Sequence, residues 1–239
     1  MIKIENLSKQ FGDFWAIKNL NLQVKKGEFY CLLGPNGAGK TTTLKIITGL
    51  MRPTEGKVFV DGLDVSAPGD YLSVKSILGF IPDTPFLYDN LTCVEFLEFV
   101  GDVFGILRKD LYEKIDYYFD LFKLGESRNN LIKGLSHGMR QKIVYISNFI
   151  HSPKVYLIDE PLVGLDPYSI HTLKKILKQE TLEGKSILLC THILSIAEEL
   201  ADCAGIIYGG KLIAEGSPHE LRTQLSANSL EEAFLKLTA

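Results

Sequence analysis

The sequence lacks the features that mark secreted, membrane-spanning and nucleic-acid-binding chains. Its four cysteines are scattered without a Cys-x-x-Cys pair, so we expect reduced core thiols and neither a disulfide framework nor a cysteine metal site. No apolar run approaches the roughly eighteen residues of a membrane-spanning helix, and the first residues lack the apolar stretch of a signal peptide. A formal charge of −3 predicts no large basic surface, which argues against a nucleic-acid partner.

The order of strand-like and helix-like segments predicts a single α/β domain with an insertion. The 239 residues are 46% hydrophobic, enough to bury a sizeable core. Thr92 and Glu95 form a capping-box pattern that opens a helical region, and Gly209-Gly210 predicts a late hairpin. We expect a catalytic core with a β subdomain over residues 1–85 and 153–215, a helical subdomain over 86–152 and a C-terminal extension over 216–239.

A glycine-rich segment follows the apolar run Phe29–Leu33 and precedes a helical pattern. Gly, four residues, then Gly-Lys-Thr is the spacing of a phosphate-binding loop, in which backbone N–H groups and the helix dipole face phosphate oxygens. Lys40 is expected to reach the terminal phosphates and Thr41 to supply a hydroxyl to Mg²⁺. A turn that binds nothing is the alternative. The nucleotide-binding residues predicted from this segment are Gly34, Pro35, Asn36, Gly37, Ala38, Gly39, Lys40, Thr41 and Thr42.

Two carboxylates end another strand-like run, Val155–Ile158. Ligands of open α/β sheets bind at the carboxyl ends of strands, where Asp159 and Glu160 lie. Neighbouring residues of a strand point to opposite faces, so one acid is expected to hold Mg²⁺ and the other to orient water. A solvated pair of acids at a strand end is the alternative.

Five segments together resemble the ATP-binding subunits of ABC transporters over nearly the whole chain. Gly34–Thr41 resembles the Walker A motif, Leu135-Ser136-His137-Gly138-Met139 the signature motif and Val155–Glu160 the Walker B motif. Gly164-Leu165-Asp166-Pro167 is similar to the D-loop and His192 to the switch histidine. The resemblance implies a P-loop NTPase (ABC ATPase) core with an antiparallel β subdomain and an inserted α-helical subdomain. It also implies a head-to-tail dimer with ATP between the Walker A motif of one subunit and the signature of the other.

The resemblance assigns roles to individual residues. Glu160 is the expected catalytic base and His192 the sensor of the γ-phosphate, while Thr41, Asp83 and Asp159 are the expected metal ligands. Phe11 is expected to stack on adenine, with Trp15 as its competitor. The residues expected at the nucleotide of the opposite subunit or beside it are Ser136, His137, Gly138, Met139 and Asp166.

Several of these residues have simpler alternative roles, and three depart from the family pattern. Ser136 could serve only as a helix N-cap, and His192 could be an ordinary core histidine. His137 and Met139 occupy positions where many members have Gly and Gln, and Asp83 stands in place of the usual Q-loop Gln. Asp83 could also simply form a turn between prolines.

The function that this resemblance implies is Mg²⁺-dependent ATP hydrolysis that drives a separate membrane-spanning permease, in an exporter-type branch. The expected location is cytoplasmic, at the inner face of the cell membrane, as a homodimer or paired with a second ATP-binding subunit. An aromatic-rich stretch around Phe96 and Phe99 is expected to form mostly local core; the alternative for part of it is a groove that receives a helix of the permease. The alternatives are a soluble ATPase acting on ribosomes or DNA, and a binding module that uses ATP without hydrolysing it.

Overall fold

The computed structural model describes residues 1–162 and 164–238. Its strands are β1 (Ile2–Phe11), β2 (Phe14–Val24), β3 (Phe29–Leu33), β4 (Glu55–Val60), β5 (Leu63–Asp64), β6 (Leu78–Ile81), β7 (Val155–Asp159), β8 (Ser186–Thr191), β9 (Cys203–Tyr208) and β10 (Lys211–Gly216). Its α-helices are α1 (Lys40–Ile47), α2 (Tyr71–Ile77), α3 (Cys93–Val103), α4 (Arg108–Leu121), α5 (His137–Ile150), α6 (Pro167–Leu182), α7 (Leu194–Leu200), α8 (Pro218–Gln224) and α9 (Leu230–Thr238).

A six-stranded sheet of order β10-β9-β3-β8-β7-β6 forms the centre of the molecule. Strands β3, β6, β7, β8 and β9 run parallel, and β10 pairs antiparallel with β9. Strands β3, β7 and β8 are buried along their whole lengths, as continuous apolar runs predict for a sheet covered on both faces. Their carboxyl ends meet at one edge of the sheet, and the segments that follow them carry the predicted site. The α/β class is confirmed.

A second, antiparallel sheet of order β2-β1-β4-β5 lies beside the first. The apolar faces of β1, β2 and β4 bury a cluster with α1 and with the neighbouring face of the parallel sheet. Strands β1 and β2 form a hairpin in which Phe11 pairs with Phe14, and Gly12 in its turn has a φ of 56°. The hairpin places two aromatic rings together near the start of α1.

Helices α3, α4 and α5 lie between β6 and β7 in the chain and share one buried cluster. The predicted capping box is confirmed: the Glu95 N–H donates to the Thr92 hydroxyl at 3.3 Å, and the Glu95 carboxylate accepts the Thr92 N–H at 2.8 Å. The Gly209-Gly210 hairpin is also confirmed, with both glycines at positive φ between β9 and β10. In the described part of the chain, no helix has the length and hydropathy to span a bilayer.

Candidate nucleotide-binding site

A cavity of about 300 Å³ opens at the carboxyl edge of the parallel sheet. It is lined by Phe11, Phe14, Ala16, Asn36, Gly37, Gly39, Lys40, Thr41, Thr42, Asp83 and Glu160. These residues come from the β1–β2 hairpin, the glycine-rich loop and the segments after β6 and β7. The structure therefore brings predicted phosphate-binding, base-binding and acidic residues to one place.

The glycine-rich loop is shaped by close backbone contacts. A Cβ atom at Gly34 would lie 2.4 Å from the Ile207 carbonyl oxygen, and one at Gly39 would lie 2.6 Å from that of Ala16. Gly39 also has a φ of 110°, a conformation that side chains disfavour. Helix α1 begins at the next residue, Lys40, so the loop leads its backbone N–H groups into a helix N-terminus.

The Lys40 ammonium group lies at the junction of the loop and the acidic residues. It donates to the carbonyl oxygens of Gly34 at 2.7 Å and Pro35 at 3.2 Å, and it lies 3.5 Å from the Glu160 carboxylate. Its side chain is only 6% exposed. A buried cation that lines the cavity is suited to bind an anion that enters it.

Asp159 is a buried carboxylate with one oxygen free of partners. The Thr41 hydroxyl donates to its Oδ2 at 2.6 Å, and Oδ1 is buried without a hydrogen bond in the described chain. Burial raises the pKa of Asp159, and the nearby charges of Asp83 and Glu160 raise it further, against the lowering by the Thr41 hydrogen bond and Lys40. An orphaned carboxylate oxygen next to a threonine hydroxyl fits Mg²⁺, which takes one or two protein oxygens together with substrate phosphates.

Within the described ranges, no group of three His, Cys, Asp or Glu side chains gathers as a preformed metal centre. Thr41 and Asp159 are hydrogen-bonded to each other, whereas Asp83 lines the same cavity and, within the described residues, is hydrogen-bonded to neither. The Asp83 carboxylate accepts the Thr84 N–H at 2.8 Å. Its predicted role as a metal ligand stays a prediction.

Glu160 departs from the geometry expected of a strand residue. Strand β7 ends at Asp159, and Glu160 has a φ of 47°, so the two side chains are not held to opposite faces of the sheet. The Glu160 N–H donates to the Cys190 carbonyl at 2.9 Å. The Thr191 hydroxyl donates to Oε2 at 3.0 Å, and His192 Nδ1 lies 3.0 Å from the same oxygen. The left-handed backbone conformation of Glu160 thus places its carboxylate, like that of Asp159, next to the glycine-rich loop.

The β1–β2 hairpin supplies two exposed aromatic rings to the cavity. Phe11, predicted for adenine, is 47% exposed and has the Lys9 ammonium 5.1 Å from its ring centroid. Phe14, which the sequence interpretation missed, is 62% exposed and lines the same cavity. Among the described residues, Phe14 and Ala16 line the cavity and Trp15 does not. The register of β2 against β1 shifts between Ile17 and Trp15, so simple alternation along the strand could not have identified Phe14.

The signature segment begins helix α5. Ser136 is its N-cap, and its hydroxyl accepts the Met139 N–H at 3.3 Å. His137 is exposed and packs on Gly164, where an added Cβ would lie 2.4 Å from the His137 ring; a Cβ at Gly138 would lie 2.4 Å from the Gly164 carbonyl oxygen. In the parts of the chain that are described, the lining of the cavity includes no residue of Leu135–Met139.

Asp166 is held at the start of α6. It accepts hydrogen bonds from the Ser169 N–H at 2.9 Å and hydroxyl at 2.6 Å, and it pairs with Lys142 of α5 at 2.9 Å. These bonds, chiefly those from Ser169, hold its pKa well below the usual range. Asp166 therefore ties the D-loop segment to the signature helix; its predicted contact with nucleotide stays a prediction.

Comparisons with known proteins agree with this geometry. Residues 17–163 match the family model described as ABC transporter. The chain is 37% identical to the lantibiotic transport ATP-binding protein SrtF of Streptococcus pyogenes, covering 98% of this chain and 96% of that protein. It is 35% identical over 99% of its length to the probable multidrug ABC transporter ATP-binding protein YbhF of Escherichia coli, but spans only 41% of that longer protein.

Solved structures give the same picture. An ATP-binding subunit of an ABC transporter matches with a TM-score of 0.94 and 32% identity, covering 100% of both chains. The dimeric cassette MJ0796, in a post-hydrolysis state bound to ADP and Pi, matches with a TM-score of 0.81 and 26% identity over 91% of this chain and 98% of that chain.

Proposed function

The chain belongs to the ABC transporter family, as an ATP-binding protein, and from that premise we propose that it hydrolyses Mg²⁺-ATP to drive a separate membrane-spanning permease. The observation that supports hydrolysis is the convergence on one cavity of Lys40, the Thr41–Asp159 pair and Glu160. Phosphoryl transfer needs a cation for the phosphates, metal ligands and a carboxylate for the attacking water.

Each residue has a distinct part in the proposed reaction. The loop N–H groups and Lys40 bind the phosphates, and Thr41 with Asp159 would hold Mg²⁺, which neutralises phosphate charge when bound. Glu160 orients water and accepts its proton. The Thr191 hydroxyl and His192 fix the Glu160 carboxylate from one side, so the carboxylate is held before substrate enters.

The signature supports a role at a second subunit. Ser136 and His137 are exposed at the start of α5, where an N-terminus favours an anion. We propose that they, with Gly138 and Met139, bind the nucleotide of a partner cassette, in a homodimer or with a different ATP-binding subunit. The dimeric state of MJ0796 supports this arrangement.

Exposed aromatic side chains support contact with the permease. Phe86 is 82% exposed, and Tyr88 lies edge-on to Phe99 with ring centroids 5.5 Å apart. The segment follows Asp83, which lines the nucleotide cavity, so a helix bound here would be near the site. The proposed location is the inner face of the cell membrane, and the name of SrtF, a lantibiotic transport ATP-binding protein, supports a role in transport.

Phosphate release from ATP tests the enzymatic proposal. Glu160→Gln is expected to lower kcat by about 10²-fold or more, as expected for loss of a general base, while Mg²⁺-ATP binding is retained. Glu113→Gln on the exposed face of α4 is the matched control and should keep wild-type turnover. Nucleotide binding by the wild type without turnover would instead favour the non-hydrolysing module, and absence of binding would overturn the proposal.

A further inference from the structure

Tyr145 connects the signature helix to the residue after the proposed catalytic base. Its side chain is fully buried in α5, and its hydroxyl donates to the Pro161 carbonyl oxygen at 2.6 Å. Pro161 follows Glu160 directly and cannot donate a backbone hydrogen bond of its own. The contact spans sixteen residues of sequence, so it joins two separate elements.

The backbone of Glu160 needs such support. A non-glycine residue at positive φ is strained and persists only where the surroundings fix it. The Glu160 N–H is bound to the Cys190 carbonyl on the side of β8. On the other side, the Tyr145 hydroxyl donates to the carbonyl of the next residue, Pro161. Hydrogen bonds from two different elements therefore bracket the strained residue.

Two properties make the hydroxyl of Tyr145 a dependable donor. Burial raises its pKa, so the phenol stays protonated at neutral pH. Gln141, one turn earlier on α5, is also buried, and its Nε2 lies 3.5 Å from the Pro82 carbonyl, immediately before Asp83. The same face of α5 thus touches the segments that carry both Asp83 and Glu160.

We propose that Tyr145 is a positioning residue that sets the backbone of Glu160 from the signature helix of the same subunit. The inference rests on the proposed function. Helix α5 begins beside Ser136, which faces the partner in the proposed dimer. A shift of this helix would move the Tyr145 hydroxyl and, with it, the backbone of the proposed base. Binding of the partner's nucleotide by Ser136 is thereby coupled to the Glu160 carboxylate in the subunit's own nucleotide site.

Tyr145→Phe removes the hydroxyl and little else, and steady-state ATP hydrolysis by the full chain tests it. We expect kcat to fall about fivefold, the rate equivalent of one neutral hydrogen bond, with the KM for ATP unchanged. Tyr30→Phe is the matched control because Tyr30 is equally buried and donates to Glu215 at the same distance, 2.6 Å, at the far end of the sheet. It should keep the wild-type kcat.

The thermal unfolding midpoint of each variant separates positioning from packing. A wild-type kcat in Tyr145→Phe would overturn the inference. So would an equal fall of kcat in Tyr145→Phe and Tyr30→Phe if the unfolding midpoints of the two variants fall equally too. Turnover by the wild type with normal kcat in Tyr145→Phe would leave the proposed function intact. A wild type that binds Mg²⁺-ATP without turnover would overturn the proposed function and this inference together.

Discussion

Two aspartates near the site show how local surroundings divide structural from functional carboxylates. Asp159 is buried beside two other acids with one oxygen unpaired, and its pKa is raised, chiefly by burial. Asp166 caps α6 and pairs with Lys142, and its pKa is lowered by those bonds. The first carboxylate costs stability in its ionised form, whereas the second contributes to it. Such a cost is expected where a residue is kept for a ligand.

Asp159→Asn is therefore expected to stabilise the chain without nucleotide or metal. The amide is close in shape, can still accept from the Thr41 hydroxyl, and removes an ionised group from a site that is 1% exposed. We expect the free energy of unfolding to increase by about 1 kcal/mol, so the unfolding midpoint at pH 7 should rise by roughly 2–4 °C. Differential scanning calorimetry in EDTA measures this shift.

The opposite change is expected at Asp166, which serves as the control. Asp166→Ala removes an N-cap and the pair with Lys142, so its midpoint should fall by a similar amount. If Asp159→Asn unfolds below the wild type, the ionised carboxylate is not a net cost. The stability assignment for Asp159 would then be wrong.

At the scale of elements, the ends of two helices in the inserted region meet through an aromatic stack. Phe104 caps the C-terminus of α3 and His151 that of α5, and their rings stack at 3.9 Å between centroids. Burial lowers the pKa of His151 to about 4, and Lys114 and Lys185 add to the lowering. The imidazole must therefore stay neutral for the helices to keep this packing.

Acid should weaken the fold through His151. The unfolded chain binds a proton near pH 6.5 and the folded chain only near pH 4, so stability is present above the first value and is lost as the pH falls towards the second. His151→Phe keeps the stack and cannot titrate. Both proteins should lose stability when the pH is lowered from 7 to 4.5. The loss of unfolding free energy in His151→Phe should be smaller than that in the wild type by on the order of 1–2 kcal/mol.

Urea unfolding at the two pH values measures this difference. Equal losses in both proteins would mean that other groups account for the acid sensitivity. A lower stability of His151→Phe at pH 7 would be informative as well, because it would mean that the imidazole makes contacts that the phenyl ring cannot replace.

The elements that the sequence predicts best are those with local chemical signals. Thr92 with Glu95 and Gly209-Gly210 predict a helix start and a hairpin from residues a few positions apart, and both are confirmed. Ser217 with Glu220 carries the same capping-box signal for α8, which the sequence interpretation did not use. Local patterns thus locate elements even where the tertiary fold is unknown.

Geometry that depends on distant contacts could not be predicted in this way. The positive φ of Glu160 depends on the Cys190 carbonyl and the Tyr145 hydroxyl, which are far away in the chain. Alternation along a strand predicts opposite faces for Asp159 and Glu160, and it fails because β7 ends between them. The types of residue in the site were predictable, but their mutual orientation was not.

At the scale of the whole molecule, the proposed nucleotide sandwich, a dimer with ATP bound between its two subunits, predicts that the mass doubles when nucleotide binds. Glu160→Gln blocks the expected hydrolysis, so Mg²⁺-ATP should convert the 26.7 kDa chain to a dimer, measured by light scattering after size-exclusion chromatography. Without Mg²⁺-ATP the same variant should stay monomeric, because the nucleotide that both subunits would bind is then missing.

The identity of the dimer face is tested by two N-cap serines. Ser136→Ala and Ser217→Ala, each in the Glu160→Gln background, remove similar caps, since Ser136 accepts from Met139 at 3.3 Å and Ser217 from Glu220 at 3.2 Å. Each should cost about 1 kcal/mol of stability. Only the Ser136 variant should also need more Mg²⁺-ATP to dimerise, because only its hydroxyl faces the partner's phosphates in the proposed sandwich. Equal dimerisation by both variants would remove Ser136 from that interface, whereas a dimer formed without nucleotide would show that ATP is not what joins the two copies.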